Sequence, residues 1–89
     1  MYETEVTEKQ PILFALSTCP RCQRMRDFLV EQGINVKVIE IDLLPFEEKQ
    51  AHIRFVRKVN RRISFPTLVI GERTIVGEDY DGTREVLGL

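Results

Sequence analysis

The stretch Ile12-Leu13-Phe14-Ala15-Leu16-Ser17-Thr18-Cys19-Pro20-Arg21-Cys22 runs from a continuous apolar segment into a proline-marked one that holds both cysteines of the chain. Such an apolar run suits a central strand buried on both faces. Beyond it, Met25, Phe28 and Leu29 recur at helical spacing from Pro20 to Gln32, and Gly33 is placed as a stop. Cys19 and Cys22 therefore fall where a strand gives way to a helix. The first N–H groups of a helix lack partners, and the dipole is positive there. With Pro20 as first helical residue, Cys19 becomes the N-cap. Its sulfur can then accept from the N–H groups of Arg21 and Cys22. Both effects favour thiolate, which marks Cys19 as the nucleophile. Cys22, one turn inward, is expected to be less exposed and placed to attack a mixed disulfide at Cys19.

Working outward, Asn35 to Asp42 alternates in polarity and reads as a second strand. Pro45 opens a second helix, with Glu47 and Glu48 in its first turn and Lys58, Arg61 and Arg62 at its end, an order that complements the dipole. Its expected buried stripe is His52, Phe55, Val56 and Val59. Thr67 to Ile70, a turn at Gly71-Glu72, and Arg73 to Val76 read as a β-hairpin. Gly77 to Asp81 reads as a loop, and Gly82 to Leu87 as a short last helix ended by Gly88. The order β-α-β-α-β-β-α predicts an α/β fold with a four-stranded mixed sheet and helices on both faces. The first strand lies centrally, with the two cysteines at its carboxyl end, where open α/β sheets place ligands.

The composition sets bounds on function. Eighty-nine residues, 43% hydrophobic and 30% charged, describe one soluble globular domain. Residues 1–10 read as a tail and 11–89 as the domain. A disulfide between cysteines this close would shut only a tiny loop and stabilise little, so the pair is no structural staple. A net charge of −1 exerts no global pull toward nucleic acid or membrane. No apolar run reaches the roughly 18 residues of a membrane span. The start of the chain is acidic (Glu3, Glu5, Glu8), the opposite of a signal peptide. The expected setting is a monomer in a reducing cytoplasm.

Cys-x-x-Cys has rival readings. As half of a structural zinc site it would need four ligands. His52 and scattered carboxylates are the remaining candidates, and His52 lies on the expected buried stripe. A cluster-carrying module would draw ligands from outside this sequence. The β-α-β setting favours a redox dithiol with no bound cofactor. A second motif is Ser64-Phe65-Pro66-Thr67. Only about 5–6% of X-Pro bonds are cis in folded proteins, so the residues alone favour a proline that simply begins a strand.

Taken together, three features resemble the glutaredoxin family of the thioredoxin fold over Ile12 to Leu89. They are Thr-Cys-Pro-x-Cys after an apolar strand, x-Pro-Thr before a hairpin, and Gly77-Glu78-Asp79-Tyr80-Asp81 before a last helix. The resemblance implies a thiol–disulfide oxidoreductase acting on protein disulfides. It implies that Phe65-Pro66 is cis and abuts the dithiol, and that the Phe65 backbone pairs with an extended substrate beside Cys19. The implied substrate-binding residues are Pro20, Arg21, Phe65, Pro66, Thr67, Gly77, Asp79, Tyr80 and Asp81. The chain also departs from relatives that use glutathione. Leu16 and Ile63 stand where those place cations, Glu78 where they place a second glycine, and Tyr80 where they place an acid. Glutathione carries two carboxylates, so these changes predict a weakened glutathione site and a protein reductase as electron donor. Arg54, Arg57, Lys58 and Arg61 share one face of the second helix, which reads either as a solvated face or as a docking patch for an acidic partner.

Overall fold

The computed structural model describes residues 10–89. Strand β1 (Ile12–Ala15) is followed by helix α1 (Pro20–Glu31), strand β2 (Lys37–Glu40), helix α2 (Phe46–Val59), strands β3 (Thr67–Ile70) and β4 (Arg73–Val76), and helix α3 (Tyr80–Leu87). The strands form one mixed sheet in the order β2-β1-β3-β4. β1 pairs parallel with β2, Leu13 opposite Val38, and antiparallel with β3, Leu13 opposite Leu68. β3 and β4 form the expected hairpin. This is the four-stranded thioredoxin-like α/β arrangement, with β1 inside the sheet.

Side chains of a strand alternate between faces, so β1 feeds two cores. Leu13 points to the α1 and α3 side, where Met25, Leu29, Leu68 and Ile75 are buried with it. Phe14 points the other way, to Ile41, Val56 and Val69. Leu13, Met25, Leu29 and Val56 are fully buried. Each such side chain contributes about 1.5–3 kcal/mol by leaving water. The apolar run of β1 is thus what a strand covered on both faces requires.

Several boundaries differ from the sequence reading, each for a local reason. β2 covers only Lys37–Glu40, because Ile41–Leu43 closes into a 3-10 turn that buries Ile41. Pro45 is the N-cap of α2 rather than its first residue, and the helix ends at Val59, ahead of Arg61 and Arg62. α3 starts at Tyr80, two residues earlier than expected, because the Asp79 carboxylate caps it through the Gly82 N–H at 2.9 Å. That carboxylate occupies the space a Cβ on residue 82 would need. Phe55, expected on the buried stripe, is 41% exposed. Ile53 packs against the second core in its place, with Val56 and Val59. The expected tail overlaps the described residues only at Gln10, which is exposed; residues 1–9 lie outside them.

Candidate active site

Cys19 has extended backbone (φ −98°, ψ 109°) and caps α1, with Pro20 in the first turn. The Cys22 N–H donates to Cys19 Sγ at 3.2 Å. Partial burial works against a charged sulfur, but the hydrogen bonds from Cys22 and the charge of Arg21 outweigh it, so the Cys19 thiol lies below its ordinary value of 9.0. Cys22 is buried, at 2% exposure. Burial, then its hydrogen bond with Cys19 and the Cys19 charge, push its thiol up to about 12. Both cysteines are free thiols. Two sulfurs three positions apart thus have opposite acid–base character, set by a helix terminus on one side and a core on the other.

The loop before β3 comes to the same place. Phe65-Pro66 is a cis peptide. Arg21 Nη2 donates to the Phe65 carbonyl oxygen at 3.3 Å, which joins that loop to the segment between the cysteines. The Gly77 N–H donates to the Pro66 carbonyl at 2.8 Å, so the end of β4 closes on the proline. Gly77 has φ 81°, a conformation that suits glycine. Behind the loop stands a buried polar set. Asn60 Nδ2 donates to the Ser64 carbonyl at 3.3 Å, to Ser64 Oγ at 3.1 Å and to Thr67 Oγ1 at 3.0 Å. Asn60 Oδ1 accepts from the Arg62 N–H at 3.2 Å. The Thr67 hydroxyl donates to the Ser64 carbonyl at 2.7 Å. Thr67 is fully buried, and its hydroxyl belongs to this support. Ile63 holds φ 50°, costly for a β-branched residue, and its side chain packs into the second core.

The Glu78 carboxylate is engaged on both oxygens. Arg24 Nε and Nη2 donate to its two oxygens at 2.6 and 3.0 Å, and the Tyr80 hydroxyl donates to it as well. Arg24 first, then Tyr80, hold the Glu78 carboxyl down at about 2. The same bond raises the Tyr80 phenol above its ordinary value. The Tyr80 ring packs edge-on against Phe28 at 5.1 Å, so Tyr80 ties the loop to α1. Asp79 serves as the α3 cap and Asp81 pairs with Arg84 at 2.9 Å. The dithiol segment is braced from the β2 side too. The Ser17 N–H donates to Asp42 Oδ1 at 2.8 Å and the Ser17 hydroxyl donates to Oδ2, which lowers the Asp42 carboxyl.

Of the residues singled out in the sequence, Pro20 and Arg21 lie between the cysteines, Arg21 bonds to Phe65, and Gly77 bonds to the adjoining Pro66. Asp79, Tyr80 and Asp81 gather at the head of α3. Arg24, Ser17, Asp42 and Asn60 were not singled out. Arg24 lies one turn beyond Arg21 on α1, a spacing that offered a signal; Ser17–Asp42 and Asn60–Thr67 join distant or loop positions that no periodicity marks. Among the described residues, no group of three or more His, Cys, Asp or Glu is arranged to hold a metal. No helix among them is long and apolar enough to cross a membrane.

Comparison with known proteins agrees with this geometry. The glutaredoxin family profile matches residues 12–75. No curated protein sequence gives a significant match. The glutaredoxin (grx-1) of Archaeoglobus fulgidus superposes with a TM-score of 0.84 at 29% identity, over 98% of this chain and 95% of that one. The glutaredoxin of Methanosarcina mazei Go1 gives 0.86 at 33% identity, over 90% and 79%. Methanosarcina acetivorans methanoredoxin gives 0.86 at 35% identity, over 89% and 84%.

Proposed function

The chain belongs to the glutaredoxin family and is a thiol–disulfide oxidoreductase, and from that premise we propose that it reduces protein disulfides with Cys19 as nucleophile and Cys22 as resolving thiol, drawing electrons from a protein reductase rather than from glutathione. The observation that carries the division of roles is the opposed state of the two sulfurs. Cys19 is accessible and favoured as thiolate, whereas Cys22 is buried and held protonated. Cys19 therefore makes the first attack. Once its sulfur is bound in a mixed disulfide, it no longer carries charge. Burial, the largest cause, still raises the Cys22 thiol, but the Cys19 hydrogen bond and charge that add to it are then relieved and the pull of Arg21 remains. Cys22 can then displace the substrate thiol, leaving a Cys19–Cys22 disulfide.

The donor proposal rests on what the site lacks. Leu16 and Ile63 are half-buried apolar side chains and cannot pair with a carboxylate. Glu78 fills its place, although its charge is matched by Arg24, so obstruction rather than repulsion is its main effect. Arg54, Arg57 and Lys58 of α2, with Arg61 just beyond its end rather than on its face, are all exposed and offer basic charge to an acidic reductase. The test is a donor comparison. Glutathione with its reductase is set against a thioredoxin-reductase-type enzyme and an iron–sulfur reductase. Slow turnover with glutathione, improved by Leu16→Lys with Glu78→Gly, is the expected result, together with protein-donor turnover that falls as salt rises. Fast turnover of the unaltered protein with glutathione would overturn the donor proposal. Equal trapping of mixed disulfides by Cys22→Ser and Cys19→Ser would overturn the roles.

A further inference from the structure

Arg21 has more hydrogen-bonding capacity than its surroundings use. Its guanidinium reaches the Phe65 carbonyl through one bond of 3.3 Å, and its charge acts on Cys19 and on Glu78. The side chain is exposed. Arg24, one turn along α1, is taken up by Glu78 through two bonds. Among the described residues Arg21 forms no ion pair. A guanidinium presents five donors in a planar fork that matches a carboxylate, and a single long bond to a neutral oxygen leaves most of them free.

The position of these free donors matters to a substrate. If an extended substrate pairs with the Phe65 backbone, as the resemblance to glutaredoxins implies, its N–H group approaches the carbonyl that Arg21 already touches. A carbonyl has two lone pairs, so the strand either shares this oxygen with Arg21 or displaces it. In both cases the guanidinium ends beside the substrate main chain next to the attacked cysteine. We propose that Arg21 is a specificity-determining residue that meets a carboxylate flanking that cysteine, so that the enzyme selects disulfides with acidic neighbours. Exchanging one long bond to a neutral carbonyl for charge-assisted bonds to a carboxylate favours such substrates. Glu78 does not cancel the preference, because Arg24 and Tyr80 engage its charge.

The proposal rests on the oxidoreductase reading and is tested in single turnovers of the reduced protein with peptide disulfides. Three homodimeric peptides differ only in the residues flanking cysteine, both Asp, both Asn or both Lys. Cys19 Sγ bonds to one peptide sulfur as the peptide S–S bond breaks, and the departing thiolate takes up a proton. Cys22 then bonds to Cys19 Sγ and gives its proton to the second departing thiolate. Two electrons pass from the dithiol to the peptide, and no other reductant enters. Arg21→Gln slows every peptide by raising the Cys19 thiol, but that effect and the intrinsic reactivity of each peptide cancel in a ratio of ratios. The Asp-to-Asn rate ratio should fall about tenfold from wild type to Arg21→Gln at low salt, the lower end for hydrogen bonds to charged groups. Arg21→Glu should favour the Lys peptide. An unchanged ratio in Arg21→Gln would overturn the proposal while leaving the oxidoreductase reading intact. No exchange between wild type and any of the peptides would overturn both.

Discussion

A single helix terminus separates two chemically identical side chains. Cys19 meets the Cys22 N–H and the Arg21 charge, and Cys22 meets the core formed beneath α1. Alkylation by iodoacetamide should therefore modify Cys19 selectively below pH 9.0, its ordinary value, and its rate should fall only as pH drops through the lowered value. Cys22 in a Cys19→Ser variant should react more slowly than Cys19 does at the same pH, because burial still raises its thiol when the Cys19 charge is gone. Faster labelling of Cys22 under mildly acidic conditions would reverse the assignment. Glu78 gives a second expectation of defined sign. Its carboxyl is lowered from 4.5 to about 2 in the folded chain. A depressed acid adds stability above its unfolded value and loses it as pH falls through the folded one. The Tm of wild type should thus drop relative to Glu78→Gln between about pH 4.5 and pH 2. The gap should be small and shrink with salt, because Arg24 is more than half exposed. Parallel Tm profiles would mean that the Arg24–Glu78 pair does not persist in solution. Cys19 and Cys22 were legible in the sequence because their chemistry depends on near neighbours, whereas the residues around Pro66 alone favoured a strand-starting proline and only the family resemblance implied its cis bond. The pairing of Glu78 with Arg24 was not, since 54 positions separate them.

Between elements, the stability of the site depends on loops more than on helices. The segment from Asn60 to Thr67 has to deliver the Phe65 carbonyl to Arg21 and bury Thr67 at the same time. Asn60, 7% exposed, does this with one side chain that reaches Ser64, Thr67 and the Arg62 N–H. Removing it leaves buried groups without partners, which costs about 1–3 kcal/mol. Asn60→Ala should lower the unfolding free energy in urea by that amount and slow disulfide exchange, because the Phe65 main chain loses its support. A loss under about 0.5 kcal/mol would show the network to be dispensable. The elements were recognisable from apolar spacing and from Pro, Gly and capping residues. Their ends were less so. α3 begins at Tyr80 because Asp79 turns back to the Gly82 N–H, and β2 stops at Glu40 because Ile41 is drawn into the core. Phe55 fits the helical stripe of α2 by spacing, yet it faces a cleft of about 400 Å³ beside Phe14 and Ile39 instead of a filled core.

For the molecule as a whole, β1 is the member that both layers share. Leu13 belongs to the α1/α3 core and Phe14 to the α2 core, with the sheet between them. Leu13→Ala should cost about 2–5 kcal/mol, the range for truncating a fully buried side chain. In an 89-residue chain that is a large share of the usual 5–15 kcal/mol of stability. Urea unfolding should stay a single transition with a lowered midpoint; a midpoint within experimental error of wild type would mean that the two cores do not meet at β1. The sequence by itself determined the α/β class, the element order, the central place of β1 and the two sulfurs, because each depends on periodicity and capping within one stretch of chain. Only the tertiary structure decided that Arg21 meets Phe65, that Arg24 neutralises Glu78, that Asp42 braces Ser17 and that Asn60 holds Thr67. Apart from the short Asn60–Thr67 loop, these contacts join residues 25 to 54 positions apart. They form only once hydrophobic burial has brought the strand ends and helix termini together, and no local pattern encodes them.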